Sequence, residues 1–172
     1  MVNVFITNLG KYNEGYGVLE CGKWLSLPQS EEDIKEALKS IEVEDNTQYE
    51  EYFITDFETD IPDFKVGEYC NIFKLSEMLE ELESLDKQDV DKVYAMLEAG
   101  VASGIQEALD YQKSYSLYTE IKTAYEAGEF LLQDSPIPPE VRDYVDYERY
   151  YNDVSTNSSY ELTSYGLLMG DY

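Results

Sequence analysis

The sequence predicts an α+β protein built as a chain of three small subdomains. Short β-branched and aromatic runs occur near both ends, apolar residues recur at helical spacing between them, and a Pro-containing turn separates the first strand pattern from the helical one. The 172 residues suffice for one ordinary domain or for two to three very small ones. The 43% apolar content, with 17 tyrosines and 6 phenylalanines, is too high for a disordered acidic tail.

The N-terminal subdomain, residues 1–61, is predicted to be ββαβ-like. Residues 2–7 are β-branched and aromatic and indicate a strand, whereas residues 8–15 are typical of a loop. A second strand is expected within residues 17–27 and a third at about residues 49–56, whose two faces alternate.

A helix is predicted between the second and third of these strands. Ser30 is placed to cap it, and Asp33 follows three residues later in a variant of the capping box. Ile34, Leu38 and Ile41 form one apolar stripe, so the helix has a single face to bury.

The central subdomain, residues 62–112, is predicted to be a bundle of short helices. Its first two helices are indicated by apolar stripes, formed by Ile72, Leu75, Leu79 and Leu82 and then by Val90, Val93, Tyr94, Met96 and Leu97. Gly100 is expected to close the second helix, and Ser103 to cap a third.

The C-terminal subdomain, residues 113–172, is predicted to be α+β again. A short strand is expected at residues 115–118 and a helix at residues 119–132. Pro139 suits the first position of a second helix that runs to about Asn152. Two strands, at about residues 160–164 and 167–170, complete the subdomain.

The charge of the chain excludes several kinds of partner. There are 37 Asp and Glu against 12 Lys and Arg, so the formal net charge is −25. Nucleic acid and anionic membrane surfaces would repel such a chain. No stretch approaches the ~20 apolar residues of a membrane helix, and the first residues do not resemble a signal peptide. We therefore expect a cytoplasmic protein whose two cysteines, Cys21 and Cys70, are reduced thiols.

The missing residue types argue against an enzyme. Without histidine there is no Ser-His-Asp triad, no Cys-His nucleophile and no His-ligated metal. Carboxylate chemistry stays open, although 37 acids make coincidental pairs certain. Residues 56–60 alternate like a calcium loop but lack its turn glycine, and the glycines at 15, 17 and 22 form no phosphate loop. We expect no catalytic residue, cofactor or metal.

The acidic residues are spread over folded elements. Residues 31–98 hold 22 Asp and Glu and 6 Lys and Arg. Twenty-five charges correspond to about 42 Å of duplex DNA, close to the diameter of about 40 Å of a compact globule of this length. Three interpretations stay open: solubility or adaptation to salt, an acidic module that binds a basic partner, and imitation of DNA.

Imitation of DNA assigns the contacts to acids on predicted helix and strand faces. These are Glu31, Glu32, Asp33, Glu36, Glu50, Glu51, Asp56, Glu58, Glu77, Glu80, Glu81 and Glu83. Helical pairs at i and i+4 lie about 6 Å apart, near the repeat of phosphates along one strand, and their repulsion costs a few tenths of a kcal/mol. No single acid is expected to be essential.

Three blocks of the sequence stand out: residues 5–15 (FITNLGKYNEG, followed by Trp24 and Leu27-Pro28), residues 49–58 (YEEYFITDFE) and residues 139–148 (PEVRDYVDYE, preceded by Glu126-Ala127-Gly128). Together they resemble the ArdA antirestriction family. The blocks occur in the family order and span almost the whole chain, and the NLGKYNEG block is the most specific of them.

The resemblance implies an elongated protein of three small domains, carried on plasmids or conjugative transposons. It implies a homodimer that imitates bent B-form DNA, occupies the DNA site of Type I restriction-modification enzymes and so protects incoming DNA. On this chain the family's dimer and antirestriction region falls at about residues 126–146, and Tyr144, Val145 and Tyr147 are the dimer candidates. The alternatives are that this helix packs only on its own domain, and that the protein is an acidic interaction or regulatory module whose basic partner does not handle DNA.

Overall fold

The computed structural model describes residues 1–62 and 64–171. The chain forms two compact units, Met1–Ser84 and Leu85–Tyr172, each with helices and one small antiparallel sheet. The predicted α+β class with several subdomains is confirmed. The finer division into residues 1–61, 62–112 and 113–172 stays a prediction.

Unit 1 consists of a three-stranded sheet with two main helices. Its elements are β1 (Val2–Asn8), α1 (Leu9–Asn13), β2 (Gly22–Leu27), α2 (Glu31–Ser40), β3 (Tyr52–Thr59) and α3 (Ile72–Ser84). The strand order is β2-β1-β3, and both pairings are antiparallel. Both α2 and α3 contact β2 and each other, so the central strand β1 is buried along almost its whole length.

The edge strand β3 contains a β-bulge that exposes two successive residues. Asp56 pairs with Phe5 and Ile54 pairs with Ile6, which leaves Thr55 without a register partner on β1, although its hydroxyl lies 3.0 Å from that of Thr7. The extra residue changes the phase of the pleat, and Thr55 and Asp56 both face solvent. The prediction of alternating faces over residues 49–56 was therefore wrong, and the strand lies three residues later.

Buried Asn8 joins β1 to two helices. Its side-chain oxygen accepts the N–H of Lys11 at 3.0 Å and so caps α1. Its amide nitrogen donates to the carbonyls of Ile41 at 3.0 Å and Glu42 at 3.1 Å, just after α2. The prediction of a loop over residues 8–15 was wrong because this cap starts a one-turn helix.

In unit 2, helices precede the first strand of the sheet and also lie between its first and second strands in chain order. Its elements are α4 (Lys87–Glu98), α5 (Ile105–Tyr111), a 3-10 turn (Gln112–Ser114), β4 (Tyr115–Tyr118), α6 (Ala124–Leu131), α7 (Pro139–Arg142), α8 (Tyr147–Ser155), β5 (Tyr160–Thr163) and β6 (Gly166–Gly170). The strand order is β4-β6-β5, antiparallel throughout. Ile121, Ala127, Tyr151 and Leu167 form a buried cluster in this unit.

Two helix starts in unit 2 differ from the prediction, each shifted to a neighbouring N-cap residue. Gly104, not Ser103, is the N-cap of α5, and Ser103 instead donates its N–H and hydroxyl to Glu107. The helix predicted from residue 119 starts at Ala124, because Thr123 and Glu126 form a capping box there.

The helix predicted from Pro139 to Asn152 is two helices. The first, α7, ends at Arg142, and Asp146 then accepts the N–H of Arg149 at 3.0 Å and starts α8. The predicted helix is interrupted before Tyr147, because the N-cap residue Asp146 has a non-helical backbone. Over residues 1–62 and 64–171, no helix has both the length and the apolar character needed to cross a bilayer.

Candidate functional site: the acidic surface of unit 1

All twelve predicted contact acids lie in unit 1, and each is exposed. Four are on α2, two precede β3, two are on β3 and four are on α3. The twelve acids therefore lie on the helices α2 and α3 and along or just before the edge strand β3. Exposure leaves every one of these carboxylates accessible to a partner.

Few of these twelve carboxylates are engaged within the chain. Glu31 pairs with Lys35, Asp33 accepts the hydroxyl of Ser30 at 2.6 Å, and Asp56 accepts its neighbour's backbone N–H at 2.9 Å. The other nine have no hydrogen bond or ion pair with any described residue. Their charge is therefore not neutralised within an ion pair, although Glu32 adds to the effect of Glu31 in raising the pKa of Lys35.

The acids on α2 suit the helix that carries them. Glu31, Glu32 and Asp33 occupy its first turn and Lys39 its last, so both ends complement the helix dipole. The hydrogen bond from Lys35 to Glu31 raises the pKa of that lysine. Helix stability alone accounts for the three acids of the first turn, and they say little about function.

The acids on α3 do not suit their helix. Its buried stripe, Ile72, Leu75, Leu79 and Leu82, is the predicted one. There is no acid in its first turn and no base in its last, and the last five residues include Glu80, Glu81 and Glu83. Negative charge at a helix C-terminus is unfavourable, by about 0.3–1 kcal/mol for each exposed charge. These glutamates destabilise the helix they stand on.

A cleft of about 880 Å³ lies between α2 and α3. Its floor is apolar and includes the buried side chains of Ile34, Leu38 and Val43, with half-buried Phe73 at its side. Six acids and two lysines line its rim: Glu31, Glu44, Asp45, Glu50, Glu77, Glu80, Lys35 and Lys39.

Sequence reasoning missed Glu44, Asp45 and Phe73. The two acids lie in a segment between α2 and β3 that has no periodic pattern, and Phe73 is off the buried stripe of α3. The acidity of residues 42–45 was the one available signal.

The three dimer candidates have very different environments in unit 2. Tyr144 is 86% exposed and Val145 is half-buried, whereas Tyr147 is only 4% exposed. The ring of Tyr147 lies 5.3 Å from that of Tyr125, and a Cβ on Gly128 would come within 2.0 Å of the Tyr147 carbonyl oxygen. Tyr147 therefore packs in its own unit, and Tyr144 is the accessible candidate.

Small antiparallel sheets and helices that carry many exposed carboxylates define an acidic α+β protein. Among residues 1–62 and 64–171, no group of three or more acids and cysteines is arranged to hold a metal ion. A family model described as antirestriction protein (ArdA) matches residues 4–169.

The chain therefore belongs to the ArdA antirestriction family, as its sequence resemblance predicted. Membership makes it an antirestriction protein whose partner is a restriction-modification enzyme. A comparison with curated proteins gives no match.

Proposed function

We propose that this protein is a DNA mimic that occupies the DNA-binding site of Type I restriction-modification enzymes. The observation that carries the proposal is the row of glutamates on α3, which opposes the helix dipole and has no partner among the described residues. Surfaces that violate a local stability rule without compensation are often functional. Solubility alone does not call for three glutamates within the last five residues of one helix, where they oppose its dipole.

The spacing of these glutamates suits a phosphate-binding groove. Glu77 and Glu81 stand four residues apart on one face of α3. Such pairs are about 6 Å apart, near the spacing of phosphates along one strand. A cationic groove that binds them displaces the cations held around the acidic surface, as it displaces those held around a duplex, and this release supplies affinity.

The protein acts by occupancy rather than by chemistry. The protein has no histidine to act as a general base, and its carboxylates block the DNA-binding site of the enzyme by binding there without reacting. We place its action in the cytoplasm, where incoming plasmid or transposon DNA meets the restriction enzyme. Unmodified DNA then escapes cleavage while the site is filled.

We propose further that the protein is a homodimer joined through its C-terminal subdomain. Exposed Tyr144 and Val141, at 86% and 45%, offer an apolar surface at α7. Aromatic side chains are enriched at such interfaces. Tyr144→Ser is expected to lower the mass measured by sedimentation to that of a monomer, and an unchanged dimer would exclude this surface.

The test is competition between this protein and labelled target duplex for a purified Type I enzyme. We expect stoichiometric displacement of the DNA at about 50 mM salt, and a direct affinity of the protein for the enzyme that falls between about 50 and about 200 mM, because counterion release drives binding. Binding that leaves the DNA in place would indicate the alternative, an acidic module bound elsewhere.

Two charge-matched variants locate the contact surface. Changing Glu77, Glu80, Glu81 and Glu83 to Gln is expected to weaken displacement about 10- to 100-fold at low salt. The control carries four exposed acids of unit 2 outside residues 126–146, each changed to its amide: Asp110, Glu120, Glu148 and Glu161. Equal losses in the two variants would mean that net charge acts, and not the surface of unit 1.

A further inference from the structure

We propose that the cleft between α2 and α3 receives a basic segment of the target enzyme that also carries an apolar side chain. This inference rests on the proposed function and adds a contact that DNA cannot make. A duplex offers phosphates but no apolar concavity beside them. The cleft would therefore give this protein an advantage over the DNA that it displaces.

The charge around the cleft favours a cationic occupant. Both rim lysines are already engaged, since Lys35 pairs with Glu31 and Lys39 lies 3.8 Å from Glu44. Three rim carboxylates have no such partner among the described residues: Glu50, Glu77 and Glu80. Asp45 forms no ion pair with a described residue either, although after Glu31 it contributes to the raised pKa of Lys35. A lysine or arginine head at the mouth would meet unpaired negative charge.

The floor of the cleft favours an occupant with an apolar portion. Ile34, Leu38 and Val43 form its base, and the half-buried ring of Phe73 forms part of one wall. Lysine and arginine stems, and apolar residues next to them, pack well against such a surface. The cleft volume of about 880 Å³ is in the range of sites that enclose a ligand, about 300–1,000 Å³.

The walls of the cleft are held in place by hydrogen bonds that a ligand need not supply. The buried hydroxyl of Ser76 on α3 donates to the carbonyl of Gln29 and accepts its N–H, both at 2.8 Å. The phenol of Tyr52 accepts the N–H of Ile72 at 3.0 Å. A preformed cleft lowers the ordering cost of binding.

The experiment measures the affinity of the protein for the Type I enzyme across a salt series. Phe73→Ser removes apolar surface without changing charge. We expect it to weaken binding about 10-fold at every salt concentration, with an unchanged slope of log affinity against log salt. Tyr69→Ser, which removes an aromatic ring that is 71% exposed outside the cleft, serves as the control and should bind like the parent protein.

A second variant keeps the test valid if Phe73→Ser folds poorly. Asp45→Lys places a cation at the mouth of the cleft, on an exposed segment outside the helices and strands. It should weaken binding more than Glu120→Lys, an equal charge change at an exposed site of unit 2.

Parental affinity in both cleft variants, with DNA still displaced, would overturn the cleft and leave the proposed function standing. No binding of the unaltered protein to the enzyme would overturn the proposed function and the cleft with it. A change in sedimentation mass on Phe73→Ser would assign the cleft to a second copy of this chain and would also overturn the proposal.

Discussion

Helices α3 and α4 are nearly equal in length, with 13 and 12 residues, but they treat acidic side chains in opposite ways. In α4 the acids contribute to the fold. Asp86 caps its start, and Glu98 in its last turn accepts the N–H of Ser164 at 2.8 Å and its hydroxyl at 2.6 Å. In α3 the glutamates of the last turn have no donor among the described residues.

The contrast separates structural acids from candidate functional ones. A carboxylate at a helix C-terminus is tolerated when donors compensate it, as the turn between β5 and β6 does for Glu98. A carboxylate that has no donors there destabilises the helix, and no contact within the fold offsets that loss of stability. Neutralising the C-terminal acids of the two helices should therefore change stability in opposite directions.

The largest effect is expected on the buried face of α3. Leu79 is 3% exposed, and Leu79→Ala should lower the free energy of unfolding by about 3 kcal/mol through lost burial and a residual cavity. Urea denaturation followed by circular dichroism measures this change. A loss below about 1 kcal/mol would contradict the tight packing of this stripe.

A smaller loss is expected when the compensated acid of α4 is removed. Glu98→Ala deletes both bonds to Ser164 and should cost about 1 kcal/mol, discounted for the exposed site. Glu98→Gln keeps an acceptor and is the matched control, with a smaller loss. Equal stability of the Ala variant and the parent would show that these bonds contribute nothing.

The neutralised C-terminus of α3 should gain stability. Changing Glu80, Glu81 and Glu83 to Gln removes three like charges from the negative end of the dipole, for a gain of up to about 1 kcal/mol at low salt. Glu32→Gln, in the first turn of α2, is expected to do the reverse by a few tenths of a kcal/mol. A loss of stability in the triple variant would refute the interpretation that these acids are uncompensated.

Local patterns in the sequence predicted much of this fold. The stripe from Ile72 to Leu82, the cap at Ser30 and the strand Tyr115–Tyr118 depend on neighbours within a few residues, and the structure contains all three. The block at residues 5–15 identified the family, although residues such as Asn8 hold the fold together rather than contact a partner.

Features that depend on distant pairing were not predictable. The bulge at Thr55 exists only in register with β1. The burial of Tyr147 requires the close approach of Gly128, and the cleft requires α2, α3 and an aperiodic segment together. Periodicity in the sequence predicted that these acids are exposed. Only the hydrogen bonds in the structure show that Glu98 has donors and that the acids of α3 have none among the described residues.

The smallest effect concerns acids that stabilise helix starts in unit 2. The N–H of Lys122, followed by the hydroxyl of Thr123, lowers the pKa of Glu126 below its ordinary value of 4.5. Because the folded-state pKa lies below that of the unfolded chain, this carboxylate stabilises α6 above the ordinary glutamate pKa. That contribution is lost as the pH falls through the folded-state value.

Glu126→Gln should therefore flatten the stability profile between neutral pH and the acid range below about 4.5, with the larger loss at neutral pH. Glu129→Gln, three residues later and exposed without a partner among the described residues, is the control. Urea midpoints measured at several pH values provide the comparison. Parallel profiles for Glu126→Gln and the parent would mean that the capping box of α6 does not respond to pH, and the assignment of Glu126 to the structural acids would then be wrong.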